Sequence, residues 1–277
     1  MQMKNILTTG ILALASLALA TTSAQAATVY NDGDLFLGFR ATGGVGNTNA
    51  YLINIGNFAQ YRDATTAGFA LALGNIKADL DATFTGWATR PDVRWGVFGT
   101  AQLWDDAVTT NVLYGSKQEA VIGTTVASWT RRNDSAQSVT SAKVVNVASE
   151  YLIDIGSINA PKAVIQNTSE ANDWTEFQPG GSQSTPSTAF AIYANGANNG
   201  IKGNFGNGTA GTRLDLFQLI PGSGAGAYKG YFSIVDAPGG TTVSFNGTNV
   251  PEPTSALLLG MGTCLLGLVR RRKPVTA

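Results

Sequence analysis

The sequence predicts a mainly β protein: an antiparallel, sandwich-like body with one or two short helices, followed by a single C-terminal membrane helix. Three observations carry this reading. Short runs of β-branched and aromatic residues recur between clusters of Gly, Asn and Pro, the punctuation of an antiparallel sheet. Few stretches combine a capping residue with apolar residues at helical spacing. Thr254–Val269 is 16 residues without a charge, close to the length that crosses a bilayer.

Taken in chain order, Met1–Ala26 has one lysine (Lys4), the uncharged run Ile11–Ala20 and then Ala24-Gln25-Ala26. A basic start, an apolar centre and a small-x-small ending are the layout of a secretory signal peptide, here with cleavage between Ala26 and Ala27. Signal peptidase and the Sec export machinery are the implied partners. The apolar centre is too short for a membrane helix.

In the body, residues 27–249, Leu35–Arg40 and Tyr51–Ile55 flank the loop Ala41–Asn49 and read as a hairpin. Val93–Phe98 and Asn111–Tyr114 read as a second pair around Asp105 and Asp106. Ala189–Ala194, Arg213–Ile220, Tyr228–Val235 and Thr241–Phe245 follow, the last three separated by Pro-Gly turns. We expect this run to form a C-terminal antiparallel meander, since Val243 and Phe245 alternate with Thr242 and Ser244.

Asn75 precedes Ile76, Leu80 and Phe84 at four-residue spacing, so a capped helix is expected there, ending near Gly86. Ser116-Lys-Gln-Glu119 has the form of a capping box, with Ile122, Val126 and Trp129 behind it at helical spacing. Val139–Tyr151 fits helix or strand. Tyr51-Leu-Ile-Asn-Ile-Gly56 and Tyr151-Leu-Ile-Asp-Ile-Gly156 lie 100 residues apart, but their flanks differ. They read as two similar strands stopped by glycine rather than as a duplication.

Beyond the body, Pro251-Glu252-Pro253 precedes the apolar run, and Arg270, Arg271, Arg272 and Lys273 follow it. Two prolines around Glu252 hold the backbone extended and remove its amide donors, a shape that suits a processing enzyme's cleft. As a helix, Thr254–Val269 reaches about 24 Å; the arginines can make up the remaining depth by snorkelling. Basic flanks stay on the cytoplasmic side, which leaves the body outside. Cys264 lies within the apolar run and reads as apolar filler.

This ordered triple resembles the PEP-CTERM sorting tail, here residues 250–273. The resemblance implies recognition and processing by exosortase, a membrane-embedded cysteine transpeptidase, and transient anchoring in the inner membrane before release to the cell surface. Hosts of this system often make exopolysaccharide, a further implied partner. The resemblance does not extend into the body.

The chain has no histidine, and Cys264 is its single cysteine. Imidazole- and thiol-based catalysis, Cys/His zinc sites and disulfides are therefore absent from the body. Setting aside Lys4 and the four terminal cations leaves 13 basic residues against 18 acidic ones, a net charge of −5. That argues against nucleic acid as a partner. No metal site, cofactor or catalytic residue is expected. Asn31-Asp-Gly-Asp34 resembles the start of a calcium loop, but the later ligands are missing and a turn before a strand uses the same residues. Asp79 with Asp81, and Asp105 with Asp106, are the pairs that a carboxylate hydrolase could use.

Trp174, in the polar stretch Asn172–Phe177, is the candidate glycan contact. The competing reading is an aromatic that plugs the edge of the sandwich. Trp87, Trp95, Trp104 and Trp129 read as core. The function that follows is an exported envelope or matrix protein with a non-catalytic body. The alternatives are a carbohydrate-binding module acting on exopolysaccharide and a carboxylate hydrolase.

Overall fold

The computed structural model describes residues 28–64, 68–103, 110–154, 156–157, 159–175, 202–204 and 213–248. The expected signal peptide, the strand at 189–194, Trp104, Asp105, Asp106 and the whole sorting tail lie outside the described residues. The first half of the chain contributes β1 (Asp34–Ala41), β2 (Asn49–Asn57), α1 (Ala59–Arg62), β3 (Phe69–Ala70), α2 (Ile76–Phe84), β4 (Val93–Ala101) and β5 (Val112–Gln118). Then come α3 (Asp134–Ile153), β6 (Ala163–Asn167), β7 (Lys202–Asn204), β8 (Arg213–Leu219), β9 (Ala227–Ala237) and β10 (Gly240–Gly247).

The strands join in one sheet of order β3-β10-β9-β8-β5-β4-β1-β2-β6, with β7 added on β4. All pairings are antiparallel. The two expected hairpins and the β8-β9-β10 meander form as anticipated, β1 against β2, β4 against β5 and β10 against β9. The architecture above them differs from a sandwich: one curled sheet replaces two stacked ones. Its central strands are apolar on both faces, and all eight residues of β1 are buried, as a strand covered on both sides requires.

One face carries Leu35, Leu37 and Phe39 beside Tyr51, Ile53, Trp95, Leu214, Phe232 and Phe245. Helix α1 touches β2, β9 and β10, and α2 touches β2 and β10. Those strands stand far apart in the sheet order, so a helix can bridge them only because the sheet curls around it. Tyr61 of α1 sits 5.3 Å from the Phe232 ring and 5.0 Å from Phe245, and donates its hydroxyl to the Ile55 carbonyl at 2.7 Å. The other face carries Phe36, Leu52, Phe98, Leu113 and Phe217, covered by Val144, Val147, Ala148 and Tyr151 of α3.

Local signals set the helix ends. Asn75 caps α2 by accepting from the Ala78 amide at 3.3 Å, and Gly86, at φ 71°, ends it. The ambiguous stretch 139–151 belongs to the 20-residue helix α3, capped by Asn133 on the Ala136 amide at 3.0 Å. Its buried face begins with polar residues, which hid the helical spacing. Gln137 donates to the Leu219 carbonyl at 2.7 Å, and Ser141 meets Thr100 at 2.6 Å.

Two sequence expectations are corrected. Ser116 caps no helix; it lies in β5, and its hydroxyl accepts from the Val97 amide at 2.8 Å. Residues 119–130 run as turns and irregular chain, because Ser116–Gln118 find strand partners in Leu214–Leu216 and the β-branched run after them is a poor helix former. The two matching hexapeptides also part company. Tyr51–Gly56 lies in β2, whereas Tyr151, Leu152 and Ile153 are the last turn of α3. In β2 alternate residues face one core; in α3 Tyr151 is buried while Leu152 and Ile153 are 44 % and 76 % exposed. Similar sequences thus adopt different structures according to what lies beside them.

Candidate functional site

The sorting tail follows directly from β10. That strand pairs with β9 along its length, Gly240 to Gly247, and Gly247 lies so close to Ala64, two residues past the end of α1, that an added Cβ would come within 2.7 Å of its Cβ. Only Thr248, Asn249 and Val250 separate the strand from Pro251. From Gly247 to Thr254 an extended chain spans at most about 25 Å. At most this length separates the last strand of the sheet from the start of the apolar run.

The tryptophans expected in the core are buried where they are described. Trp95 and Trp129 lie on the two faces of the sheet, and Trp87 donates its indole N–H to Asp81 at 3.1 Å. The Lys117 ammonium stands 4.5 Å over the Trp129 ring. Trp174 corrects the glycan-contact reading. It is 0 % exposed, stacked on Phe98 at 5.7 Å and 15°, so its face offers no platform to a sugar. Gly38 of β1 makes the seat: a Cβ there would come within 2.7 Å of the indole. A glycine inside an otherwise bulky strand was the signal for this close approach.

The acidic residues separate into distinct groups. Asp32 accepts from the amides of Gln102 and Leu103 at 2.9 and 3.0 Å. Asp34 accepts from the Asn31 amide at 2.9 Å and the Asn54 side chain at 2.8 Å. The stretch that resembled a calcium loop is thus a turn held by its own carboxylates. Asp79 and Asp81 are engaged separately: Asp79 takes bonds from Tyr51 at 2.5 Å and Asn159 at 2.7 Å, while Asp81 pairs with Lys77 at 3.2 Å. Nearby, an open groove of about 210 Å³ runs between β2, α1 and β3, lined by Gln60, Phe69, Leu73 and Lys162.

Two groupings were not legible from sequence. Glu119 and Asp215 lie together beneath the 119–130 segment, and Asp215 is 0 % exposed. Asp215 accepts from the Val126 amide at 2.7 Å. Burial, and then the neighbouring Glu119, push its carboxyl up to about 6. These two acids are sealed under chain and too close together to hold a sugar between them. The second grouping is Glu150, Asp154 and Glu170, each of which offers one carboxylate oxygen, the three within 4.8 Å of one another. Asp154 is likewise raised to about 6, chiefly by burial, with Glu170 and Glu150 adding repulsion.

Among the described residues, no helix is long and apolar enough to cross a membrane. No curated protein and no solved structure matches the chain. Residues 249–273 match the family model of the PEP-CTERM protein-sorting motif. That span takes in Pro251–Pro253, the apolar run and the basic cluster. Such a motif implies export, a membrane-anchored C-terminal sorting signal and exosortase as processing partner. The chain thus carries a PEP-CTERM protein-sorting motif at residues 249–273, behind a β-rich body.

Proposed function

We propose that this protein is a structural or adhesive component of the cell envelope or extracellular matrix, with a non-catalytic body that exosortase releases from a transient membrane anchor. The observation that carries the reading is the sorting motif at 249–273, separated from the last strand of the sheet by Thr248 alone. A body built for exposure outside the cell also needs to hold itself together without disulfides. Here the two apolar faces of a single sheet, each closed by helices, supply that cohesion. Asp32, Asp34, Asp79 and Asp81 serve turns and buried bonds, which favours a structural over a hydrolytic role for them. The carbohydrate-binding alternative needs Trp174 or another aromatic on an exposed platform, and the fold buries Trp174.

Mass spectrometry of the protein recovered from cells with and without exosortase activity tests this. The expected product begins at Ala27 and has lost the segment from about Thr254 onward, with the tail retained where exosortase is missing. An intact Ala277 in surface material overturns the processing step.

A further inference from the structure

We propose that Glu150, Asp154 and Glu170, together with the side-chain carbonyl of Gln166, form a calcium-binding site that ties the end of α3 to β6 and the loop after it. The inference is independent of the sorting tail.

Three elements build the site. Glu150 and Asp154 stand one turn apart, at the last turn and the C-cap of α3. Glu170 comes from the turn that follows β6, where its carboxylate accepts from the Asn167 amide at 3.2 Å. Glu150 takes a bond from the Asn172 side chain at 3.4 Å, and Asp154 from Gln166 at 2.6 Å. These donors are neutral amides, so they leave the three charges uncompensated. The place itself makes matters worse, because a helix C-terminus carries partial negative charge of its own. A cation is what such a place lacks.

A second observation comes from Gln166. Its side chain is 0 % exposed, and its amide lies against Asp154. The carbonyl oxygen of that amide is buried without a hydrogen-bond partner. Covalent geometry keeps this oxygen within about 5 Å of the Asp154 carboxylate oxygen that takes the bond. Burying an acceptor with no donor is costly, whereas a metal ion accepts a carbonyl oxygen as readily as a carboxylate one. Gln166 thus brings an unused oxygen ligand to the edge of the carboxylate cluster.

Size selects the ion. Calcium takes oxygens at 2.3–2.6 Å, so two ligands on one ion stand at most about 4.6–5.2 Å apart. Magnesium, at 2.0–2.1 Å, draws its ligands within about 4.2 Å and demands a regular octahedron. One oxygen from each carboxylate, the three within 4.8 Å of one another, falls inside calcium's reach, and an all-oxygen set favours calcium over softer metals. Bound there, calcium would link the helix that covers Phe36 and Phe98 to the edge strand and to the loop carrying Trp174.

The test uses the purified full chain in mild detergent, stripped of metal with a chelator and titrated with calcium chloride by calorimetry. The expected Kd is about 10⁻⁴–10⁻³ M, the range of extracellular modules with few charged ligands. At about 10 mM calcium the unfolding equilibrium constant then falls by about 10- to 100-fold. Hydrogen exchange should slow at 150–154 and 163–174 and stay constant in β8–β10. Asp154→Asn keeps the shape and relieves repulsion, so it folds without metal, and it should weaken binding about tenfold or more. Glu170→Gln should do the same, and Gln166→Leu should weaken binding without removing a charge. Asp63→Asn, on exposed α1-side chain, should bind as the native protein does. The proposal is overturned by no heat of binding up to about 10 mM, by undiminished binding in Asp154→Asn, or by equal loss in Asp63→Asn.

Discussion

Replacing Trp174 by alanine distinguishes a structural indole from a ligand-binding one. The side chain is fully buried, stacked on Phe98 at 5.7 Å and seated on the bare backbone of Gly38. Removing a buried Trp side chain costs about 3–5 kcal/mol in lost transfer energy and cavity. One feature offsets part of this loss: the indole N–H has no acceptor, and a buried unsatisfied donor costs about 1–3 kcal/mol. The net loss should therefore fall near the lower end, about 3 kcal/mol. Trp174→Phe keeps a ring against Phe98 and discards the unpaired N–H, so its loss should stay below about 1.5 kcal/mol. Equilibrium urea unfolding followed by circular dichroism reads both. With an m-value of about 2–3 kcal/mol/M, the alanine midpoint drops by about 1–1.5 M and the phenylalanine midpoint by less than half of that. An unchanged midpoint in Trp174→Ala, with selective loss of glycan binding, would place the ring on the surface and rule out a structural role for it.

The buried acid pair makes a prediction in the opposite direction. The Asp215 carboxyl is raised to about 6 in the fold by burial and by Glu119, against about 3.9 in an unfolded chain. The folded state thus prefers the protonated form. Stability from this group is intact below about pH 4 and is lost as pH rises through 6. Asp215→Asn mimics the protonated acid and still accepts from Val126. After allowance for solvent relaxation it should exceed the native protein by about 1–2 kcal/mol at pH 8, with the gap narrowing as pH falls and closing below about pH 4. Urea midpoints across that range check it, and a gap that does not vary with pH defeats it. Arg90 staples the β1–β2 loop: its guanidinium donates to Val45, Phe84 and Gly43 carbonyls at 2.8, 3.2 and 2.9 Å and pairs with Asp92 at 2.6 Å. Arg90→Ala should cost about 1–3 kcal/mol and speed amide exchange at 43–49; unchanged exchange there would show that the loop holds without it.

Signals written within a few residues survived into the fold. Asn75 and Gly86 bound α2 as their chemistry demands, and the Pro-Gly turns divide β8, β9 and β10 where expected. The PEP motif, apolar run and basic cluster were legible because each is a contiguous property of composition, read by an enzyme or a bilayer rather than by the rest of the chain. The helix at α3 was half legible: its C-terminal Val144, Val147, Ala148 and Tyr151 keep the spacing, while Gln137, Thr140 and Ser141 conceal it.

Only the tertiary structure decided what depends on distant partners. Ser116 looked like a helix cap until β4 and β8 claimed its strand. Tyr51 and Tyr151 head nearly the same six letters, yet one packs from β2 in the curl of the sheet and the other from α3 onto the sheet's opposite face. Trp174 is polar-flanked in sequence and buried in space, because Gly38, 136 positions earlier, leaves room for it. The carboxylates of Glu150, Asp154 and Glu170 meet only because β6 returns the chain to the end of α3. Caps and turns are settled by the backbone groups next to them, whereas burial and charge are settled by whatever the fold brings close. Local composition thus carried the sorting motif and most of the strands, and the packing of those strands set which side chains remain available for chemistry.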